Sequence, residues 1–166
     1  GEIVVRGPQV FKGYWNQPAA TAQAFIDIAG QTYFRTGDLG VLSADGAITI
    51  TGRKKDLINR GGEKISAEEV ENLILMHPAV QNVACVPMPD ANMGEKMCAF
   101  VILKSGQSLQ LKALVDFLLT KEIAKFKLPE RLEVLADFPV STFGKVSKKA
   151  LGELVANNIK NGLQPS

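Results

Sequence analysis

The chain has 166 residues, of which 19 are Lys or Arg, 17 are Asp or Glu and 46% are hydrophobic. This length holds one ordinary domain, or a small domain with part of another, and the 22% charged fraction is typical of a folded chain. A net charge of +2 gives no electrostatic footprint for nucleic acid, and no apolar run approaches the ~20 residues of a membrane span, so we expect neither a nucleic-acid partner nor a membrane span.

The first 51 residues predict a β-rich segment with one short helix. The pattern favours a strand over 2–6, a helix over 21–26, extended segments over 33–36 and 40–42, and a turn at Asp45-Gly46 leading into a strand over 47–51. Because the first residue is not Met and the extended pattern starts at once, we expect the chain to begin inside a larger protein. The opening residues also lack the pattern of a signal peptide.

The polar run over residues 52–56 predicts a hinge or boundary, after which helical patterns become prominent. We predict a strand over 57–59, a loop over 60–62, a helix after the capping box Ser66-Ala67-Glu68-Glu69, strands near 82–87 and 96–103, a helix over 111–118, a strand over 131–135 and a last helix capped by Ser147. This order indicates a small α+β domain with helices packed on an antiparallel or mixed sheet.

The cysteine and histidine content argues against histidine-based and metal-based catalysis. Cys85 and Cys98 lie in apolar runs and are interpreted as buried reduced thiols, with a disulfide between neighbouring strands as the alternative. A Cys/His zinc site would need more ligands than the chain contains, so we expect no metal site. His77, the only histidine, precedes Pro78 and is interpreted as a helix-end residue rather than a base.

The strongest local signal is the loop over residues 138–145, which ends in Gly144-Lys145 before a predicted helix. A phosphate-binding G-x-x-x-x-G-K-[ST] pattern fails here, because Pro139 replaces the first glycine and Val146 replaces the hydroxyl residue. Lys145 therefore remains as a point charge that could stabilise an anion. The alternative is a solvated lysine.

Two further segments carry charged groups suited to a nucleotide. Asp38 follows Gly37 at a predicted strand end, where a carboxylate could accept two hydrogen bonds from a ribose diol, or simply be a turn aspartate. The cations in 53–55 and in 60–64 lie close to Gly61-Gly62 and could serve a phosphorylated ligand. A solvated charge run is the alternative for them.

In this order the segments resemble the adenylate-forming superfamily of acyl-CoA synthetases, peptide-synthetase adenylation domains and luciferases. Five segments are similar to motifs of that family: 35–39 to its ribose-binding motif, 52–56 to its hinge motif, 60–65 to the loop that follows, 87–95 to a further motif, and 139–145 to the terminal motif with the catalytic lysine. Residues 58–64, 68–72, 126–131 and 144–149 resemble 2,3-dihydroxybenzoate–AMP ligases of siderophore synthesis, whereas residues 1–15 equally resemble acyl-CoA ligases.

The resemblance implies a domain organisation and a set of site residues. It implies a β-rich end of the large adenylation domain over 1–51, a hinge over 52–56 with its pivot at Lys55, and a C-terminal lid domain over 57–166. It assigns Lys145 as the catalytic lysine and Asp38 and Arg53 as nucleotide-binding residues. It also assigns a thiol-tunnel loop to Arg60, Gly61, Gly62, Glu63 and Lys64.

The resemblance further implies an activity for the whole enzyme, in the cytoplasm. A carboxylic acid would react with ATP and Mg²⁺ to give acyl-AMP, and the thiol of CoA or of a carrier protein's phosphopantetheine would then take the acyl group. The family's phosphate loop, acyl pocket and magnesium-binding glutamate would lie in an N-terminal domain before Gly1. We therefore expect this chain alone to be inactive.

Three alternatives stay open from the sequence. The whole protein is an acyl-CoA synthetase, or it is an aryl-acid AMP ligase of the 2,3-dihydroxybenzoate type. The third alternative is a non-catalytic binding module that reuses the lid fold. The presence of Asp38, Arg53 and Lys145 favours an enzyme, because a binding module does not need all three. If a large domain is missing, we expect exposed apolar surface in the first segment, around Phe11, Tyr14, Trp15 and Phe25.

Overall fold

The computed structural model describes residues 1–142 and 144–162 and divides the chain into two compact units, Gly1–Lys55 and Asp56–Ser166. The division falls after Lys55, inside the predicted segment 52–56. Gly52 and Arg53 belong to a strand of the first unit, and Lys54–Asp56 form a single 3-10 turn. The polar run is therefore partly regular structure, because Gly52 and Arg53 pair across the sheet with Leu39 and Asp38.

The first unit is an antiparallel sheet organised around one long strand. Its elements are β1 (Glu2–Val5), α1 (Pro18–Ala24), β2 (Phe25–Ile28), β3 (Gln31–Leu42) and β4 (Ile48–Arg53). The central strand β3 pairs with β1, β2 and β4, in each case antiparallel. The predicted β-rich character of this segment is confirmed.

Two sequence predictions in the first unit were wrong. The helix predicted to reach Ile26 ends at Ala24, because Phe25 and Ile26 pair with β3 and the Phe25 ring packs against Phe34, 5.7 Å between centroids. Asp38 was predicted at a strand end but lies within β3, since β4 pairs with β3 beyond it. Long-range pairing overrides the local pattern in both cases.

The second unit is a mixed five-stranded sheet with helices. Its elements are β5 (Leu57–Arg60), β6 (Glu63–Ser66), α2 (Ala67–Ile74), β7 (Val80–Asp90), β8 (Gly94–Leu103), α3 (Leu111–Leu119), β9 (Arg131–Val134) and α4 (Lys148–Lys160). The order is β6-β5-β8-β7, with β9 pairing parallel to β8 and the other pairs antiparallel. The predicted α+β fold is confirmed. Strand β6 was not predicted, because its short sequence begins with two charged residues.

Two apolar clusters cover the two faces of this sheet. One contains residues of α2 and α3, and the other contains Leu151 and Val155 of α4. Neighbouring residues of β7 and β8 alternate between the clusters, as the period of a strand requires. Each large side chain that is fully buried here, such as Leu114 or Ile58, stabilises the fold by roughly 1.5–3 kcal/mol.

The alternation also separates the two cysteines and so argues against a disulfide between them. Cys85 belongs to the cluster that includes α2 and α3, and Cys98 belongs to the cluster that includes α4. Both thiols are free and buried, which confirms the interpretation as reduced core residues. His77 follows α2, accepts a hydrogen bond from the Ala79 N–H through Nδ1 at 3.2 Å, and packs edge-on against Phe117. Its contacts are those of a helix-end residue, as predicted.

The predicted helix caps are confirmed. The Ser66 hydroxyl accepts a hydrogen bond from the Glu69 N–H at the start of α2, and the Ser147 hydroxyl accepts one from the Ala150 N–H at the start of α4. None of the helices in the described residues is long and apolar enough to cross a membrane.

Candidate functional site

The two predicted nucleotide-binding residues face each other across the first sheet. Asp38 in β3 is the register partner of Arg53 in β4, and Arg53 Nε lies 2.9 Å from Asp38 Oδ1. The Asp38 backbone N–H donates to Thr36 Oγ1, whose hydroxyl in turn donates to the Ile3 carbonyl. The sheet therefore orients the Asp38 carboxylate from both neighbouring strands.

Glu2 of β1 pairs with two further cations of this region. Its Oε2 accepts from Arg35 Nη2 at 2.7 Å and from Lys54 Nζ at 3.1 Å. The hydrogen bond from Arg35 is the main cause that lowers the pKa of Glu2 below its ordinary value, so the carboxylate is charged at neutral pH. Arg35 and Lys54 are thereby held against the sheet, which the charge pattern of the sequence did not reveal.

A cleft of about 330 Å³ opens beside this ion-pair network, lined by Thr36, Gly37, Arg53, Lys54 and Lys55. A second cleft of about 430 Å³ shares Thr36, Gly37 and Lys54 and extends towards Tyr14 and Phe34. Polar backbone, cations and an aromatic rim together suit a phosphorylated ligand with a flat ring. Lys55, the predicted pivot, is exposed in the 3-10 turn that ends the first unit.

The predicted thiol-tunnel loop of the second unit is a tight β-hairpin turn. Arg60 of β5 pairs with Glu63 of β6, and Gly61 and Gly62 between them have φ values of +58° and +96°. Positive φ at both central residues is the requirement of a two-residue hairpin turn of type I′. The two glycines are thus explained by the turn itself, and their small size also leaves the backbone accessible. Glu63 and Lys64 are exposed on β6.

Carboxylates anchor the residues around this turn. Arg60 donates through Nε and Nη2 to Glu130 Oε1, at 3.0 and 2.8 Å. These hydrogen bonds are the main cause that raises the pKa of Arg60 above its ordinary value. Lys96 Nζ lies 2.8 Å from Asp90 Oδ2, and this hydrogen bond is the main cause that lowers the pKa of Asp90 to about 2. Two cations near the turn, Arg60 and Lys96, are therefore paired with carboxylates.

Lys145 lies in a second short hairpin, which precedes α4. Val140 and Val146 form an isolated antiparallel bridge, the Ser141 N–H donates to the Lys145 carbonyl at 2.7 Å, and the Ser147 N–H donates to the Pro139 carbonyl at 2.8 Å. The hydroxyl of Ser141 also accepts from the Lys145 N–H at 3.3 Å. This geometry leaves the Lys145 side chain exposed. Phe143 of the same motif is outside the described residues.

Both ends of the lysine hairpin are attached to the core of the second unit. Phe138 before it and Leu151 after it are buried in the same apolar cluster. Lys148, at the start of α4, pairs with Glu71 Oε1 of α2 at 2.7 Å, and the same oxygen accepts from the Cys85 N–H. The segments on both sides of Lys145 are therefore anchored in this core, while the Lys145 side chain is exposed.

Sequence reasoning missed the carboxylates that organise these sites, namely Glu2, Asp90 and Glu130. Of their cationic partners, Lys54 and Arg60 were noticed as charges in the sequence, whereas Arg35 and Lys96 were not. Glu2 lies 33 residues from Arg35 and 52 from Lys54, and Glu130 lies 70 from Arg60, so no local spacing could have indicated these pairs. Within residues 1–142 and 144–162, no group of three His, Cys, Asp or Glu side chains is arranged to hold a metal ion.

Comparison with known proteins identifies relatives of this chain. Residues 69–145 match the family model described as the AMP-binding enzyme C-terminal domain. The chain is 42% identical to the 2,3-dihydroxybenzoate-AMP ligase of Bacillus subtilis over 99% of its length, and 46% identical to the medium-chain fatty-acid–CoA ligase of Escherichia coli over 89%. It spans 30% and 26% of the lengths of these two relatives.

The fold of the chain is also found in solved structures. The crystal structure of ATP-bound MatB from Rhodopseudomonas palustris matches with a TM-score of 0.84 and 36% identity, over 95% of this chain and 30% of that one. The family model, the relatives and the fold point to the same group of enzymes. The chain belongs to the adenylate-forming enzymes, and it carries their AMP-binding enzyme C-terminal domain.

Proposed function

We propose that the complete enzyme containing this chain is an AMP-forming acid–thiol ligase. It would join a carboxylic acid to ATP, releasing pyrophosphate, and transfer the acyl group from acyl-AMP to the thiol of CoA or of a carrier-protein phosphopantetheine. The observation that carries this proposal is the exposed Lys145 in a hydrogen-bonded hairpin next to the core, in a domain of this family. We place the reaction in the cytoplasm, where ATP and CoA are available.

The proposed role of Lys145 is electrostatic. In the first half-reaction a carboxylate oxygen attacks the α-phosphorus, and negative charge accumulates between the two reacting groups. The positively charged lysine side chain stabilises this charge electrostatically, without transferring a proton. The exposed side chain on a hydrogen-bonded hairpin suits a group that acts only when a second domain closes on it.

Asp38 and Arg53 are proposed to bind the nucleotide. Arg53 Nε occupies Asp38 Oδ1, which leaves the second carboxylate oxygen of Asp38 for a ribose hydroxyl. The adjacent cleft offers the Arg53 guanidinium and Lys54 to phosphate oxygens. The Mg²⁺ that accompanies ATP would be held mainly by the phosphates and by the N-terminal domain of the whole enzyme.

The two half-reactions are proposed to use different parts of the second unit. The Lys145 hairpin would serve adenylate formation, and the Gly61-Gly62 turn would line the path of the pantetheine arm. Lys55 is exposed in the 3-10 turn where the two units meet in sequence. We propose it as the pivot of a rotation that brings first the Lys145 hairpin and then the Gly61-Gly62 turn to the active site. A rotation over a few residues is an ordinary way to gate two steps of one reaction.

Replacing Lys145 tests this proposal. In the complete enzyme, Lys145→Ala should lower ATP–pyrophosphate exchange by about 10²–10³-fold, as loss of one preorganised donor does in other enzymes. Thioester formation from preformed acyl-adenylate should be unchanged. The matched control is Lys149→Ala, which removes an exposed lysine of α4 and should leave both half-reactions intact.

The outcome of this experiment separates an enzyme from a binding module. Unchanged exchange in the Lys145 variant would refute the role of this lysine. Absence of exchange in the wild-type enzyme, with every acid tested, would instead favour a non-catalytic module built on the lid fold.

The carboxylic acid substrate is either an aryl acid or a fatty acid. The segments 58–64 and 126–131 resemble aryl-acid ligases, and the Bacillus subtilis relative is named for 2,3-dihydroxybenzoate. A medium-chain fatty acid is the competing choice, given the Escherichia coli relative. Exchange rates of the complete enzyme with 2,3-dihydroxybenzoate, salicylate and a medium-chain fatty acid decide between them.

A further inference from the structure

The Glu130 carboxylate connects two parts of the second unit that are distant in sequence. Its Oε1 accepts from Arg60 Nε and Nη2 at 3.0 and 2.8 Å, and its Oε2 accepts from the Met97 N–H at 3.3 Å. The Glu130 N–H also donates to the Met97 carbonyl. Arg60 and Glu130 are each only about one-quarter exposed, at 24% and 25%. Both oxygens of Glu130 are thus engaged, one by a side chain and one by the β8 backbone.

The arginine held by Glu130 is the residue immediately before the Gly61-Gly62 turn. Arg60 also pairs with Gly94 of β8, and the Gly61 N–H donates to the Met93 carbonyl at 2.8 Å. Met93 is itself fixed, because its N–H donates to Asp90 Oδ1 at 2.9 Å. The turn is therefore held on one side by Glu130 and on the other by the 90–93 turn.

The Arg60–Glu130 pair is better suited to positioning than to stabilising the fold. Partly exposed ion pairs contribute little to the free energy of unfolding. A guanidinium that donates two hydrogen bonds to one carboxylate oxygen nevertheless has its direction and rotamer fixed. Two glycines follow Arg60, and glycine has more backbone conformational freedom than any other residue type. Fixing Arg60 limits that freedom where the turn begins.

We propose that Glu130 is a positioning residue for thioester formation: by holding Arg60, it keeps the Gly61-Gly62 turn in the geometry that admits the pantetheine arm. This inference rests on the proposed function, and it concerns the second half-reaction only. Adenylate formation, which we assign to the Lys145 hairpin, does not depend on it.

The test is Glu130→Gln in the complete enzyme, with the two half-reactions measured separately. ATP–pyrophosphate exchange reports adenylate formation, and single-turnover transfer from preformed acyl-adenylate to pantetheine reports the thiol step. We expect the transfer rate to fall by about 10–100-fold, as small displacements at a reacting site do. Exchange should stay within about twofold of wild type, which also demonstrates that the variant is folded.

Two further variants make the test specific. Glu69→Gln removes a similar carboxylate, which pairs with Lys127 at 2.6 Å and does not contact the turn, so both half-reactions should be unchanged. If Glu130 acts through Arg60, adding Glu130→Gln to Arg60→Gln should lower the transfer rate no further.

The two half-reaction rates distinguish failure of the inference about Glu130 from failure of the proposed function. Selective loss of transfer, without additivity, supports the inference. Equal loss of both half-reactions, or no loss of transfer, overturns it while leaving the proposed function intact if wild-type exchange is observed. Absence of exchange in the wild-type enzyme overturns the proposed function and this inference together.

Discussion

At the scale of single residues, the partner of each charged group decides what that group can do. Arg35 and Lys54 are paired with Glu2, Arg53 with Asp38, and Arg60 with Glu130. Their charges are used to orient backbone and carboxylates. Lys145 differs, because its hairpin fixes the backbone and leaves the ammonium exposed. The sequence marks Lys145 by its loop motif, but it does not show that the other four cations are paired with carboxylates.

The two cysteines give a prediction at this scale. Burial raises the pKa of the Cys85 thiol well above its ordinary value and raises that of Cys98 as well. Thiolate is the reactive form, so neither cysteine should react with a disulfide reagent in the folded chain at pH 8. Unfolding in urea should make both thiols reactive, which absorbance of the released reagent measures.

The native and denatured reactions of one sample serve as the control for each other. Rapid modification of one equivalent of thiol in the native chain would contradict the burial of that cysteine. Failure of both thiols to react after unfolding would indicate a disulfide, the alternative that the positions of Cys85 and Cys98 in different clusters argue against.

At the scale of elements, local signals could be predicted and long-range pairing could not. The caps at Ser66 and Ser147 were predicted because the residues that form them are three apart in sequence. Strand β6 and the strand position of Asp38 were not, since β-pairing depends on partners elsewhere in the chain. The same division holds for the contacts near the candidate sites: Lys145 stands out by its local motif and stays a prediction as a site residue, whereas the contact of Glu130 with Arg60, 70 residues away, has no local signal.

Two glycines of the second unit should respond in opposite ways to the same substitution. Gly62 has φ +96° in the turn, where a Cβ meets no atom within 4 Å, so Gly62→Ala should lower stability by about 1 kcal/mol through backbone strain alone. Gly152 lies inside α4, also with open space around a Cβ, so Gly152→Ala should raise stability by about 1 kcal/mol.

Urea denaturation followed by helical circular dichroism measures both changes, since three of the four helices in the described residues belong to the second unit. The comparison is internal, because the added methyl group is the same in both variants and contacts nothing in either. A gain of stability in both variants would show that the turn does not require positive φ at Gly62, and a loss in both would contradict the prediction for Gly152.

At the scale of the whole molecule, burial is distributed unequally between the two units. Among the residues that the structure describes, every buried hydrophobic side chain lies between Ile58 and Val155, in the second unit. The first unit holds a small group of aromatic contacts around Phe11. Phe11, Tyr14 and Trp15 are exposed, as expected from the sequence, whereas Phe25 was expected to be exposed and is half-buried beside Phe11 and Phe34. A sheet without a buried core gains little from the hydrophobic effect, so further apolar covering would stabilise it.

The largest exposed apolar side chains of the first sheet give the last prediction. Leu42, Ile48 and Ile50 are 69%, 60% and 59% exposed, and Leu42 is the cross-strand partner of Ile48. Ile48 and Ile50 are two residues apart in β4, so they share a face of the sheet. An apolar face of this kind promotes association in water. The 166-residue chain should therefore self-associate as its concentration rises, with light scattering as the measurement.

Replacing both isoleucines of β4 by lysine should reduce this association, because two like charges on each copy desolvate poorly and repel when the faces meet. The control is Met76→Lys, an equally exposed apolar residue of the second unit at 61%, which should leave association unchanged. Helical circular dichroism of the double variant should match that of the wild-type chain, since the substitutions lie in the first unit. A wild-type chain that stays monomeric over the whole concentration range, with amides of β3 and β4 protected from hydrogen exchange, would show that the first unit needs no further covering.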